Sequence, residues 1–486
     1  MNMSQPNSIQ KNGVIPGRLS ILFIQLAIIV IFIDNLRNLM AFEVFVTSVF
    51  YIIKSNIKKY SLISWRLGIP AFFGLFLGFI PIIQQAVKAE DFNRFENLDV
   101  TLYVSTFAMF VFIFGVKYTE GLISKINSKG VRTKISDFIS MPDRPAFVLA
   151  LTVIGAYATY WSFKNGYWGL IATMEAPTNP LTGLFSALST SLMIAHIISW
   201  QNILKTTYKK NLMWKFIGFI SLLFLTLAGL FSASKGTLLT PMIVILLIYY
   251  VNNKRIPWFG LGFILLLFGL FILPFISWLR FSEDLSTVSR TDLLTHTYHF
   301  LVRGEWSSSQ PMELTALQSV GRSLLTSFNT VINKTGAAVG FLMGKSYIAG
   351  FQAFVPRFIV GDKIPNSTNW IAQYYGITGE SDFITNVSFT SIGEMYMNFG
   401  LFGVAIGMFF NAFLAVLVDT YIIKKGESWL AIMMVLNISW QESFLGQTLL
   451  PFVKNMILVW ILFVLIKLLL PRSRTSPALP KFLSFR

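Results

Sequence analysis

The sequence predicts an all-α polytopic membrane protein with about twelve transmembrane helices. Its 486 residues are 54% hydrophobic and only 13% charged, and the mean hydropathy is +0.63. Soluble domains carry about 25% charged residues, so this composition does not suit a chain that is wetted on all sides. Apolar runs of the length that crosses a bilayer also recur along the whole chain.

The predicted spans are bounded by charged or turn-forming residues and have lengths near the roughly 20 residues that cross a bilayer. They lie near 19–33, 39–53, 67–83, 100–116, 146–162, 183–200, 216–231, 237–251, 259–279, 399–423, 429–445 and 451–470. The first run resembles a secretory signal, but Asp34 and Arg37 follow it in place of a small-residue cleavage site. It is therefore predicted to be a retained span.

The net charge of +17 does not indicate a nucleic-acid partner, because the cations do not form one patch. With the N-terminus inside, most of the 39 Lys and Arg fall on cytoplasmic segments, and this bias predicts that both termini are cytoplasmic. The chain has no cysteine, which excludes disulfides, and its three histidines are too scattered for a metal site.

The spans divide the chain into three parts. We expect an N-terminal transmembrane bundle of about nine spans at 1–279, an outer loop at 280–391 and about three C-terminal spans with a cytoplasmic tail at 392–486. The loop is too long for a simple connection, and its many Phe, Tyr, Leu and Gly residues argue against disorder.

Two stretches of the loop suit interfacial helices. An eleven-residue apolar stretch between Lys345 and Arg357 is too short to span and fits a re-entrant or interfacial piece. A second stretch places five apolar residues on one helical face, which predicts a helix lying on the membrane surface. These residues are Leu324, Leu325, Phe328, Val331 and Ile332.

Lys235 interrupts a long apolar region at a tight turn. Nineteen uncharged residues separate it from Lys215, so it stands where one span gives way to the next. Gly236 permits close backbone approach, and Ser232 and Thr237 supply hydroxyl groups beside the cation. This combination predicts a phosphate site, with an ordinary headgroup anchor as the alternative.

Other outer cations are weaker candidates of the same kind. Arg357 follows a proline and could clamp a phosphate through two hydrogen bonds. Snorkelling towards lipid headgroups is the alternative for any one of these cations. The further candidates for substrate binding are Arg280, Arg303, Arg322 and Lys363.

Glu394 lies at the predicted outer start of the tenth span, where a carboxylate is partly desolvated and suits a general base. Asn398 follows one turn later on the same face. Tyr396 and Asn398 could hold a sugar by stacking and hydrogen bonding. The alternative is that Glu394 caps the first turn of its own helix.

Three motifs in this order resemble the bacterial O-antigen polymerase (Wzy-type oligosaccharide repeat unit polymerase) family. They are SASKG after a span, PRFIVGDKIP in the outer loop and GEMYMNFGLFG opening the next span. The resemblance implies a GT-C-like, metal-independent glycosyltransferase without a cofactor in the bacterial cytoplasmic (inner) membrane. Such enzymes join undecaprenyl-pyrophosphate-linked oligosaccharide repeat units into O-antigen, capsule or exopolysaccharide at the outer face.

The implied reaction needs cations at the diphosphate and a base, and Lys235, Arg357 and Glu394 are the candidate catalytic residues, although the family usually has arginine where this chain has Lys235. It also implies membrane lipids, a chain-length regulator and a flippase as partners. Two other functions stay open at this point. An O-antigen ligase would share the lipid-diphosphate chemistry, and a lipid-linked oligosaccharide flippase would need a cationic cavity within the bundle.

Overall fold

The computed structural model describes a set of ranges that together contain most of the predicted spans. These ranges are 36–54, 64–79, 81–82, 97–127, 144–165, 181–204, 211–232, 235–253, 255, 257–272, 324–352, 354–355, 369–379, 387–420, 428–438 and 445–469. The predicted first span at 19–33 lies outside them, as do 273–279 of the predicted ninth span and 280–323, 356–368 and 380–386 of the predicted loop.

The described elements are helical and are numbered here in chain order. They are α1 Leu36–Lys54, α2 Trp65–Phe73 with a π-helical continuation Gly74–Phe79, α3 Leu98–Asn127, α4 Pro145–Lys164, α5 Thr182–Leu204, α6 Leu212–Phe231, α7 Lys235–Asn253, α8 Trp258–Leu267 with a π-helical continuation Phe268–Ile272, α9 324–334, α10 Lys345–Gln352, α11 Asn369–Tyr374, α12 Thr390–Val418, α13 Ser428–Ile438, and α14, which begins as the π-helical Leu445–Leu449 and continues as Leu450–Leu469.

Each predicted span from 39 onward is helical over the residues of it that the structure describes. Within the described ranges, α3, α4, α5, α6, α7 and α12 are long and apolar enough to cross a membrane. The chain is therefore an all-α protein with several candidate membrane spans, as its composition predicts. Exposed aromatic and aliphatic side chains along α3 and α8, such as Phe114 and Phe259, are those expected of helices that face lipid.

Glycines bring neighbouring helices close together. A β-carbon at Gly155 of α4 would lie 2.5 Å from the backbone nitrogen of Leu192 in α5. A β-carbon at Gly115 of α3 would lie 2.8 Å from Cβ of Ala412 in α12. Such small residues let backbones pack tightly where lipid provides no hydrophobic force between helices.

A sharp bend divides α12 into two arms, 390–398 and 401–418. Gly400 has φ 62° and ψ −148°, a backbone region that is open essentially to glycine alone. The first arm folds back on the second, because a β-carbon at Gly407 would lie only 2.5 Å from Sδ of Met395. The tenth span was predicted to begin at 399, so the bend marks where its spanning arm starts, and Glu394 lies on the short arm before it.

Helix α9 has the predicted apolar face, but the prediction that this face rests on the membrane surface is wrong. Leu325 and Phe328 are fully buried and join the main apolar core of the bundle. Asn329 of α9 accepts a hydrogen bond from the hydroxyl of Thr101 in α3 at 2.6 Å. The face packs on protein because helical periodicity identifies an apolar stripe without identifying what covers it.

We predict that Gly400→Ala lowers the free energy of unfolding by about 1–3 kcal/mol, since alanine is strained at this φ and ψ. The new β-carbon would also lie 3.3 Å from Cε1 of Phe341. Gly262→Ala in α8 is the matched control, because nothing lies within 4 Å of its β-carbon position. Thermal unfolding in detergent measures both, and equal stability of the two variants would contradict the assigned bend.

Candidate functional site

The carboxylate of Glu394 is buried where α10, α12 and α14 meet, with only 2% of the residue exposed. Its Oε1 accepts hydrogen bonds from the Ser346 hydroxyl at 3.1 Å and the Gly446 backbone N–H at 2.9 Å. Its Oε2 accepts from the Leu445 backbone N–H at 3.0 Å. The first N–H groups of a helix have no partner in their own helix, so Glu394 caps α14 from outside it.

Asn398 extends the same network one turn along α12, as the helical spacing predicts, and is fully buried. Its side-chain oxygen accepts from the Gly344 backbone N–H at 2.9 Å. Its side-chain nitrogen donates to the Ser346 hydroxyl at 2.8 Å and to the backbone oxygen of Glu394 at 2.7 Å. Every polar atom of the amide therefore has a partner, as buried polar groups require.

Tyr347 lies at the edge of this network, and its hydroxyl interacts with Asn398 and Glu394. Burial, followed by the negative charge of Glu394, raises the pKa of the Tyr347 hydroxyl above its usual range, so the group stays protonated. Its ring centroid lies 6.3 Å from that of Phe399. We call Ser346, Tyr347, Glu394 and Asn398 the Glu394 cluster.

Close backbone contact between α10 and α14 holds the cluster together. A β-carbon at Gly350 would lie 2.8 Å from Cα of Gly446. A β-carbon at Gly446 would lie 2.6 Å from Oε1 of Glu394 and would also strike the backbone oxygen of Ser346. The glycines allow the carboxylate to reach the amides of α14 directly.

A second buried carboxylate performs the same task at the opposite end of α12. Asp419 accepts a hydrogen bond from the Trp65 backbone N–H at 2.8 Å, at the start of α2, and another from the Ser64 hydroxyl. Arg66 lies 3.0 Å from Asp419 through its Nε and also pairs with Glu120 of α3. This network joins the start of α2, the C-terminal part of α3 and the end of α12.

The predicted cationic site is described only in part. Helix α6 ends at Phe231 and α7 begins at Lys235, so three residues connect the two helices, and of Lys235 the structure describes only the backbone. The Ser232 hydroxyl donates to the backbone oxygen of Gly229 at 3.0 Å rather than standing free. The candidates Arg280, Arg303, Arg322, Arg357 and Lys363 lie outside the described residues.

Tyr396 and Asn398, the two candidate sugar-binding residues on α12, lie in different surroundings. Two residues beyond Glu394, Tyr396 points away from the carboxylate and packs on two apolar clusters. The second of these clusters contains Tyr375, the pKa of which is raised to about 12, chiefly by burial. Residues two apart on a helix do not share a face, which was a signal already present in the sequence.

Sequence reasoning missed Ser346 and Tyr347, which come from a separate helix. A signal in the sequence could have found them. Gly344-Lys-Ser-Tyr347 combines a glycine, a cation and hydroxyl groups, as the SASKG motif does, and Lys345 is exposed. Within the described residues, no group of three His, Cys, Asp or Glu side chains could hold a metal ion. A hydroxyl-rich ligand would meet this network through Tyr347, its half-buried member.

We predict that Glu394→Gln destabilises the protein by about 1–3 kcal/mol, although it preserves the shape of the side chain. Both carboxylate oxygens accept hydrogen bonds, so the amide NH₂ must face a donor: the Leu445 N–H, the Gly446 N–H or the Ser346 hydroxyl. Glu43→Gln is the matched control, because Glu43 is exposed on α1. Unfolding in detergent measures both variants, and an unchanged Glu394→Gln midpoint would show that the cap contributes nothing.

Comparison with protein-family models, curated proteins and solved structures finds no match for this chain. The resemblance to O-antigen polymerases therefore rests on the three motifs and on the order of the helices. The third motif, GEMYMNFGLFG, contains Glu394, Asn398 and the bend at Gly400. Two of its residues, Glu394 and Asn398, belong to the Glu394 cluster.

Proposed function

We propose that this protein is a glycosyltransferase that polymerises lipid-linked oligosaccharide repeat units in the bacterial cytoplasmic membrane. The observation that carries the proposal is the Glu394 cluster. It brings together two hydroxyls from α10, which lies before the tenth predicted span, and a carboxylate and an amide from the short first arm of α12. A substrate with a membrane-embedded lipid and a projecting glycan would present its sugars at such a position.

The proposed reaction needs no oxidant, nucleotide or metal. A hydroxyl of the acceptor sugar forms a bond to the anomeric carbon of the donor glycan, and the bond from that carbon to the pyrophosphate oxygen breaks. The lipid pyrophosphate leaves with the bonding electrons, and the acceptor proton passes to a base. Cations near the pyrophosphate and a positioned base are the groups that accelerate such a step.

The general-base role of Glu394 stays a prediction, because the carboxylate has a structural task as well. A base must lie within hydrogen-bond reach of the hydroxyl that it deprotonates. Glu394 is 2% exposed and already accepts from Ser346 and two backbone amides. An acceptor sugar would reach it only where the edge of the cluster opens, beside Tyr347.

The finer topology belongs to the same proposal. It comprises about twelve spans, both termini in the cytoplasm and a GT-C-like bundle with the Glu394 cluster on the outer face. The buried contacts support the relative directions of these spans. Arg66, Glu120 and Asp419 meet at one end, and each lies at the helix terminus that the predicted alternation of spans places in the cytoplasm.

Deletion of the gene tests the function. A polymerase predicts that cells accumulate surface glycan carrying a single repeat unit, visible as loss of the long-chain ladder on a gel. Complete loss of surface repeats would favour a flippase instead. Unlinked glycan polymer of normal length would favour a ligase, which acts after polymerisation.

We predict that Lys235→Ala abolishes long chains without loss of membrane-inserted protein, and that Lys235→Arg keeps them, because both cations can bind a phosphate. Lys215→Ala, at the other end of α6, is the matched control for a cation beside a span and should keep normal chain length. Chain length on a gel and protein level in membranes are the two measurements. Normal chains in Lys235→Ala would make this lysine a headgroup anchor.

A further inference from the structure

One residue of the Glu394 cluster reaches the surface. Ser346 and Glu394 are each 2% exposed, and Asn398 is fully buried. Tyr347 is half-buried, and its hydroxyl interacts with both Glu394 and Asn398. A ligand outside the protein would therefore meet this network first through Tyr347.

Tyr347 lies beside an aromatic surface. The ring of Phe399 is its neighbour and is 43% exposed. Phe341 has the same exposure, and its Cε1 lies 3.3 Å from where a β-carbon of Gly400 would be. Gly344 lies against Phe399 as well, since a β-carbon there would lie 3.6 Å from its ring, an ordinary van der Waals contact. The bend of α12 thus presents the exposed ring of Phe399 beside the ring of Tyr347.

Charge decides which part of a lipid-linked glycan suits this surface. The Glu394 carboxylate acts on the Tyr347 hydroxyl and would repel an anion placed against it. The Tyr347 hydroxyl also stays protonated, so it remains a neutral hydrogen-bond donor. A neutral sugar fits both conditions, because it offers hydroxyl oxygens to the phenol and an apolar C–H face to the rings. A pyrophosphate does not.

We propose that Tyr347 and Phe399 form a subsite for the neutral acceptor sugar, separate from the cations that would bind the pyrophosphate. This inference rests on the proposed function and assigns one half of its substrate to named residues. Tyr347 takes the sugar-binding role that the sequence alone gave to Tyr396, whose side chain lies on the other face of α12.

Binding to two separated halves of the substrate tests the subsite. The purified full-length protein in lipid nanodiscs is titrated with two probes. One is the repeat-unit oligosaccharide released by mild acid from the lipid of cells that lack the gene, and the other is undecaprenyl phosphate. Tyr347→Phe should weaken oligosaccharide binding about three- to tenfold, the range of one hydrogen bond, and leave undecaprenyl phosphate binding within about twofold. Phe399→Leu should also weaken oligosaccharide binding alone.

Tyr157→Phe is the control, because Tyr157 is a 59% exposed tyrosine on α4. Equal weakening of both probes by Tyr347→Phe, or unchanged oligosaccharide binding, would overturn the subsite. Weakening by Tyr396→Phe in place of Tyr347→Phe would return the role to Tyr396.

The gene deletion distinguishes failure of the subsite proposal from failure of the polymerase proposal. If the deletion strain makes single-repeat glycan but the wild-type protein does not bind the oligosaccharide, the subsite is rejected and the polymerase is kept. Normal long chains in the deletion strain reject both.

Discussion

The first backbone N–H groups of a helix have no acceptor within that helix, and in an apolar bundle no water is at hand to satisfy them. The architecture of this protein depends on how these groups are satisfied. Both ends of α12 carry a buried carboxylate that accepts from the first amides of another helix. Glu394 serves α14 and Asp419 serves α2, and each also holds a serine hydroxyl.

These two contacts fix the positions of α14 and α2 relative to α12. A carboxylate in an apolar setting is strongly unfavourable without partners, so each pairing fixes the height of one helix against another. At the Asp419 end the charge is balanced by Arg66, which also reaches Glu120 on α3. At the Glu394 end the carboxylate accepts from a serine hydroxyl and two backbone amides, and it lies close to Tyr347.

The bend at Gly400 explains how a polar group of α12 reaches the start of α14. A straight helix would carry Glu394 away along the axis of the spanning arm. Because the first arm folds back, Glu394 and Asn398 face α10 and the glycines at 350 and 446. The same bend exposes the ring of Phe399. The bend at Gly400 therefore accounts both for the contact of Glu394 with α14 and for the exposed ring of Phe399.

Composition and periodicity determined the class of this protein and the positions of its helices, because apolar runs of bilayer length report burial in lipid regardless of their neighbours. The GEMYMNFGLFG motif also identified Glu394 and Asn398 as members of one face. Only the tertiary structure decided what each face meets. The apolar stripe of α9 packs on protein instead of membrane, Tyr396 turns towards Tyr375, and Ser346 and Tyr347 arrive from another helix. The spacing of residues along a chain fixes which side chains share a helix face, but contacts between helices depend on packing that no local pattern contains.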